Sequence, residues 1–154
     1  MKTNARAVVV KDGNLLLMKR FKVDREYYTL LGGGVEPGET AEQAALREVK
    51  EESGLTVANP KLIYIEEAGD PFGMQYVFLC EYVSGEPALP PESEEAFWST
   101  PGKNTYEPCW FDYKKLDDIP FVSPLLKEAL LKARTDGFPE EPLQFSSKHA
   151  ERLS

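Results

Sequence analysis

Three carboxylates stand within five residues of one another in "REVKEESG", residues 47 to 54: Glu48, Glu51 and Glu52. Gly54 follows them, a residue suited to ending a helix. Acid at a helix C-terminus opposes the helix dipole, and like charges three or four apart repel, each pair by about 0.2–0.5 kcal/mol on an exposed helix. At about 100° per residue, Glu52 falls about 40° to one side of Glu48 and Glu51 about 60° to the other. Ala41, Ala44 and Ala45 share that arc, so the acidic face is also one that lets another backbone come close. A hard divalent cation would relieve the cluster. Oxygen ligands without a neighbouring histidine or thiolate point to Mg²⁺, or Mn²⁺, rather than Zn²⁺. The competing reading is a solvated acidic helix end, neutralised by Arg47 and Lys50.

The elements that must position these groups are marked in the chain. "TAEQ" places Thr40 as N-cap and Gln43 as the partner of a capping box, so the helix runs from about Thr40 to Ser53. Upstream, "TLLGGGVEPGE" holds three consecutive glycines and then Pro37-Gly38, read as a tight loop whose backbone could approach a ligand. Before it, "ARAVVV" and "NLLLMKR" flank Asp12-Gly13, a hairpin signal, and "FKVDREYY" reads as a polar loop. "KLIYIEE", "MQYVFLCEYV" and "YEPCWFDY" read as strands. "SPLLKEALLKAR" reads as an amphipathic helix with Ser123 as N-cap and Pro124 at its first position. Residues 84–105 are rich in proline and acid and form a long connecting segment. The expected organisation is one domain over residues 1–136, an α/β fold with a mixed sheet covered by helices. A peripheral or flexible tail would follow over residues 137–154.

Residues 33 to 55, "GGVEPGETAEQAALREVKEESGL", resemble the Nudix box, in which a glycine, a glutamate and an Arg-Glu-aliphatic-x-Glu-Glu-x-Gly-aliphatic run recur at fixed spacing. Gly33, Glu39, Arg47, Glu48, Val49, Glu51, Glu52, Gly54 and Leu55 fill every specified position. One departure is Leu31, where the family often has proline. The resemblance implies a Nudix-type α/β/α sandwich and a MutT-like, Mg²⁺-dependent hydrolase of nucleoside diphosphate derivatives. It implies that Glu48 and Glu52 bind metal, with Glu51 and the carbonyl of Gly32 as further ligands. It implies that Arg47 holds the carboxylates and that Glu39 supports the loop. A general base would come from a later loop, where Glu92, Glu94 and Glu95 are available and Glu94 is favoured. The expected substrate is a nucleoside triphosphate. ADP-ribose, a nucleotide sugar, or nucleotide sensing without turnover remain alternatives.

Substrate contacts are expected from Arg20, within the basic run Lys19, Arg20, Lys22 and Arg25, from the backbone of Gly33 and Gly34, and from Trp98. For Trp98, with Phe97 and Tyr106, the reading as an anchor that pins its loop to the domain stands ahead of stacking on a base. The net charge of −8 argues against binding a nucleic-acid polymer, yet admits a small phosphorylated nucleotide bridged by Mg²⁺. The one histidine, His149, and two cysteines without a CxxC argue against zinc or histidine-assisted nucleophiles. No apolar run approaches the roughly 20 residues that span a bilayer. A cytoplasmic protein is expected, and a homodimer is left open.

Overall fold

A computed structural model describes residues 2–148, so His149 and the end of the tail lie outside the described residues. The chain opens with β1 (Thr3–Lys11) and β2 (Asn14–Lys22), joined through Asp12 and Gly13 at φ 51° and 77°. Two positive φ values are what a tight two-residue hairpin demands. "FKVDREYY" is not a loop. Val23 and Asp24 repeat the positive-φ turn, at 49° and 66°, and lead into β3 (Arg25–Thr29), which pairs with β2. Asp24 suits a turn, but β-branched Val23 is a poor candidate for positive φ and no glycine follows, which is why the second hairpin is hidden in the sequence.

The glycine run also differs from expectation. Leu31–Gly34 forms β4, antiparallel to β1, with Gly33 opposite Ala5 and Gly32 opposite Arg6. β5 (Thr56–Glu67) and β6 (Met74–Ser84) follow as an antiparallel pair, and β6 runs parallel to β1. β7 (Asn104–Asp112) pairs along the whole length of β2. The sheet is therefore mixed, as expected. After Gly137 the sequence shows no periodicity, yet β8 (Leu143–Ser146) adds in parallel to β5.

Both faces of the sheet are covered, which explains the nearly continuous apolar runs in its strands. α1 (Ala41–Ser53) packs Ala44, Ala45 and Val49 on Ala5, Ala7, Val9 and Leu16. α3 (Pro124–Asp136) packs Leu126 and Leu130 on the opposite face, with Val8, Leu15, Leu17 and Tyr64. The alternation Ala7, Val8, Val9 is the period-2 signature of a strand with two buried faces. The result is an α/β/α sandwich.

α1 is set at both ends by its own sequence. The Thr40 side chain accepts from Gln43 N–H while the Gln43 side chain accepts from Thr40 N–H, and Gly54 closes the helix at φ 79°. These caps fix the phase of the helix relative to β4, and the glycines then permit contact. A Cβ on Gly32 would lie 2.2 Å from the Ala5 carbonyl oxygen, and one on Gly33 would lie 2.7 Å from Glu48 Oε1. A Cβ on Gly34 would meet nothing within 4 Å.

Alanine substitutions should therefore grade in cost. Gly34→Ala should stay within about 0.5 kcal/mol of wild type. Gly33→Ala should cost about 1–3 kcal/mol through overpacking. Gly32→Ala should cost more still, because backbone stands in the way. Urea unfolding of the three variants checks the order, and a Gly33→Ala protein as stable as Gly34→Ala would refute the close approach.

Candidate active site

The connection between β6 and β7 brings the remaining parts to α1. Ala88 N–H donates to Ser53 O, fastening this segment to the end of the helix. Ser93 then caps a short helix, α2 (Glu94–Trp98), accepting from Ala96 N–H. α2 lies beside the acidic face. Glu48, Glu52 and Glu95 each offer a carboxylate oxygen, and these atoms lie within 4.8 Å of one another.

Glu52 is the most constrained of the three. It is 5% exposed and accepts from Gly32 N–H at 3.2 Å. Burial holds its carboxyl well above the ordinary value of 4.5, and the neighbouring Glu48 pushes in the same direction. Glu95 is also raised, first by burial and then by Glu48, Glu94 and Glu51. Buried, converging carboxylates repel unless protons or a cation neutralise them. The all-oxygen donor set suits Mg²⁺ or Mn²⁺, so the residues present fit such an ion.

Glu51, grouped with Glu48 and Glu52 by helical phase, shares the Arg47 Nη1 donor with Glu48 and lines the same cavity as Glu48 and Glu95. It is about half exposed and its carboxylate pairs with Arg47 at 3.0 Å. Arg47 is the organiser of the helix's acidic edge. Its Nε and Nη2 donate to Glu39, its Nη1 to Glu48 and Glu51, and its Nη2 also to the Gly34 carbonyl. Its hydrogen bonds with Glu39 are the main reason it is held firmly protonated, and Arg47 in turn holds Glu39 below its ordinary value. One guanidinium thus ties the turn after β4 to the middle of α1.

Two cavities flank the carboxylate cluster. The first, about 150 Å³, is lined by Glu52 and Glu95 together with Arg6, Arg20, Gly32 and Tyr106. Arg20 is held ready there. Its Nε donates to Thr105 O and its Nη2 to Asn104 Oδ1, while its plane stacks 3.7 Å from the Tyr106 ring. The second cavity, about 770 Å³, is lined by Glu48, Glu51, Glu92, Glu94, Glu95 and Gly34 among others. Glu95 borders both. Glu94, favoured from the sequence, faces only the larger one. Trp98 is partly exposed and packs at 6.4 Å against Tyr106, with its carbonyl accepting from Asn104. Gly33 and Gly34 meet Glu48 and Arg47.

Of the residues at the site, the sequence offers Glu95 only as one of several, and Arg6 escapes it. Glu95 is one of three loop glutamates, and a five-residue helix carries too little pattern to single it out. Arg6 is the sole charge in the apolar run "ARAVVV", and that interruption is the signal that could have found it. Its Nε donates to Gln75, and its charge lies close enough to Glu52 to draw that carboxyl's proton affinity down.

A family profile for the NUDIX domain matches residues 1–128. The chain belongs to the NUDIX domain family. The MutT NUDIX hydrolase of Burkholderia pseudomallei is 27% identical, with a TM-score of 0.61, over 85% of this chain and 95% of that one. An ADP-ribose pyrophosphatase from Streptococcus suis shares the fold, with a TM-score of 0.63 at 22% identity over 94% of this chain and 98% of that one. The NAD-capped RNA hydrolase NudC of Escherichia coli O1:K1 / APEC is 34% identical over 114 residues, 74% of this chain and 39% of that protein. The chain spans about two fifths of the length of the curated relatives it matches. Among the described residues, no helix is long and apolar enough to cross a membrane.

The raised carboxyl of Glu52 has a consequence for stability. In divalent-free buffer the folded protein keeps this proton to a higher pH than the unfolded chain does. The group's contribution to stability is therefore full below the unfolded value of 4.5 and is lost as pH rises through the folded one. Glu52→Gln should raise the melting temperature in EDTA at neutral pH, by about 2–4 °C for each kcal/mol relieved. It should also remove the stabilisation that Mg²⁺ gives the wild type. A lower melting temperature for Glu52→Gln in EDTA would contradict this account.

Proposed function

We propose that the chain is a divalent-metal-dependent pyrophosphohydrolase acting on a nucleoside diphosphate derivative. The convergence of Glu48, Glu52 and Glu95 beside a cavity carrying Arg6 and Arg20 is the observation that supports this most directly. Carboxylates alone would repel a phosphorylated ligand. Carboxylates that gather a cation, with two guanidinium groups adjoining, fit one.

Glu48 and Glu52 would hold Mg²⁺ or Mn²⁺, with the Gly32 carbonyl as a further candidate ligand. The bound ion would neutralise phosphate oxygens and lower the pKa of the attacking water. The chain's own groups supply the rest. Arg20, already oriented by Thr105, Asn104 and Tyr106, has its Nη1 without a protein partner among the described residues and is placed to bind a phosphate oxygen. Arg47 is committed to Glu39, Glu48 and Glu51 and acts by positioning. Glu95 accepts the proton of the water that attacks phosphorus. Its carboxylate lies within 4.8 Å of those of Glu48 and Glu52 and borders both cavities, which suits a general base beside the bound ion. As the new P–O bond forms, the bridging P–O bond breaks and its electron pair leaves with the departing phosphate. Trp98, packed against Tyr106, would stack on an aromatic part of the substrate.

A nucleoside triphosphate is one such substrate, and the 27% identical MutT NUDIX hydrolase supports it. A nucleoside diphosphate linked to a second group is the other, and the NudC likeness favours that reading.

A Mg²⁺-dependent assay over both classes of compound tests the reaction. Glu95→Gln should lower kcat by about 10²–10⁴, the range of a lost general base, while Glu94→Gln should lower it less than about tenfold. The reverse order would return the role to Glu94. Absence of turnover on every compound, with nucleotide binding intact, would favour a sensing module instead.

A further inference from the structure

The two cavities beside the carboxylate cluster carry opposite chemistry, and the scissile linkage must lie between them. Glu52 borders the smaller, Glu48 the larger, and Glu95 both. The smaller cavity offers Arg6, Arg20 and the Tyr106 ring. It shares Arg6, Thr29 and Leu30 with a further recess of about 110 Å³. This side suits a phosphate joined to a flat, apolar-faced group. The larger cavity is different. Glu36, Glu48, Glu51, Glu92, Glu94 and Glu95 line it, and Arg47 and Lys50 are its only cations among the described residues. Both cations are engaged. Arg47 is bonded to Glu39, Glu48 and Glu51. Lys50 Nζ donates to the Gly54 carbonyl and the Thr56 hydroxyl.

Resting on the hydrolase reading above, we infer that the larger cavity selects the second half of the substrate by charge, admitting an uncharged or cationic group such as a sugar and disfavouring a terminal phosphate. A cation held by Glu48 and Glu52 offsets charge only at the cluster. Among the described residues, Glu36, Glu92 and Glu94 still line the cavity without a cation in ion-pair contact, save the distant 3.8 Å approach of Arg47 to Glu36. With the nucleotide half on the arginine side, a nucleoside diphosphate sugar would place its neutral ring there. A triphosphate would place its terminal phosphate there, against like charge. Such repulsion is felt over a Debye length of about 30 Å at 10 mM salt but only about 8 Å at 150 mM.

The test compares kcat/KM for ATP and ADP-ribose, and for UTP and UDP-glucose, using the full chain with Mg²⁺ at both salt concentrations. At low salt the sugar derivative of the better pair should exceed its triphosphate by about tenfold or more, equal to about 1.4 kcal/mol of transition-state stabilisation. Higher salt should narrow the ratio. Glu92→Lys and Glu36→Lys, both at exposed positions, should each raise the triphosphate's relative rate by about threefold or more. Equal or faster hydrolysis of triphosphates at low salt would overturn the inference while leaving the hydrolase reading intact. So would a ratio that neither lysine variant moves. Turnover of none of the four compounds, with nucleotide binding retained, would overturn the hydrolase reading and this inference together.

Discussion

The Glu48 carboxylate occupies the space in which residue 33 would carry a Cβ. That single steric fact sets how closely α1 approaches β4, and the rest of the site is built on the approach. Each of the three glycines makes it possible differently. Gly32 meets the β1 backbone so closely that a side chain has no room, and its N–H reaches Glu52. Gly33 yields its side-chain volume to Glu48. Gly34 leaves its carbonyl to Arg47. A helix separated from the strand by ordinary side chains would hold the same glutamates too far out to be buried. Their proton affinities would then stay near those of exposed carboxylates, and a cation would have little to gain from them.

The close approach also explains why Arg47 is so heavily committed. Burying Glu52 and most of the Glu48 side chain at the C-terminal end of a helix costs energy on three counts: desolvation, mutual repulsion and the helix dipole. A planar guanidinium with fixed donor directions can satisfy Glu39, Glu48 and Glu51 at once, which a lysine cannot. The arginine removes enough repulsion along the outer edge of α1 to let the inner edge stay poised for a cation. Glu51 and Glu52, adjacent in sequence, thereby sit in different surroundings, one half-exposed and paired with Arg47, the other buried against Gly32.

How far the sequence reveals this depends on whether a feature is encoded locally. The ends of α1 were legible because a capping box and a C-terminal glycine act within four residues of the helix they bound. The first hairpin was legible because Asp-Gly favours its positive φ values. Val23-Asp24 adopts the same turn without that preference, so its cause lies in the pairing of β2 with β3 and β7. β4 reads as a loop because glycine is a poor strand former, and it is held as a strand only by β1. β8 is held by β5 in the same way. Helical phase put Glu48, Glu51 and Glu52 on one side of α1, and there Glu48 converges with Glu52 while it shares an Arg47 donor with Glu51. Glu95 and Arg6 come from elements distant in sequence and meet α1 only through the fold.

The net charge of −8 and a phosphorylated ligand are reconciled by where the few useful cations sit. Arg47 is paired with Glu39, Glu48 and Glu51, so its charge is spent within the protein. Arg20 is braced by Asn104, Thr105 and Tyr106, so its charge is presented at a fixed place with little conformational entropy left to lose on binding. Arg6 is supported by Gln75 on the neighbouring strand. On the proposed reading, two fixed guanidinium groups and an adjoining carboxylate cluster would attract one phosphate linkage at one position, whereas the same charge spread over the surface would attract polyanions of every kind. The acidity of the remaining surface would then be no obstacle to binding but part of the discrimination.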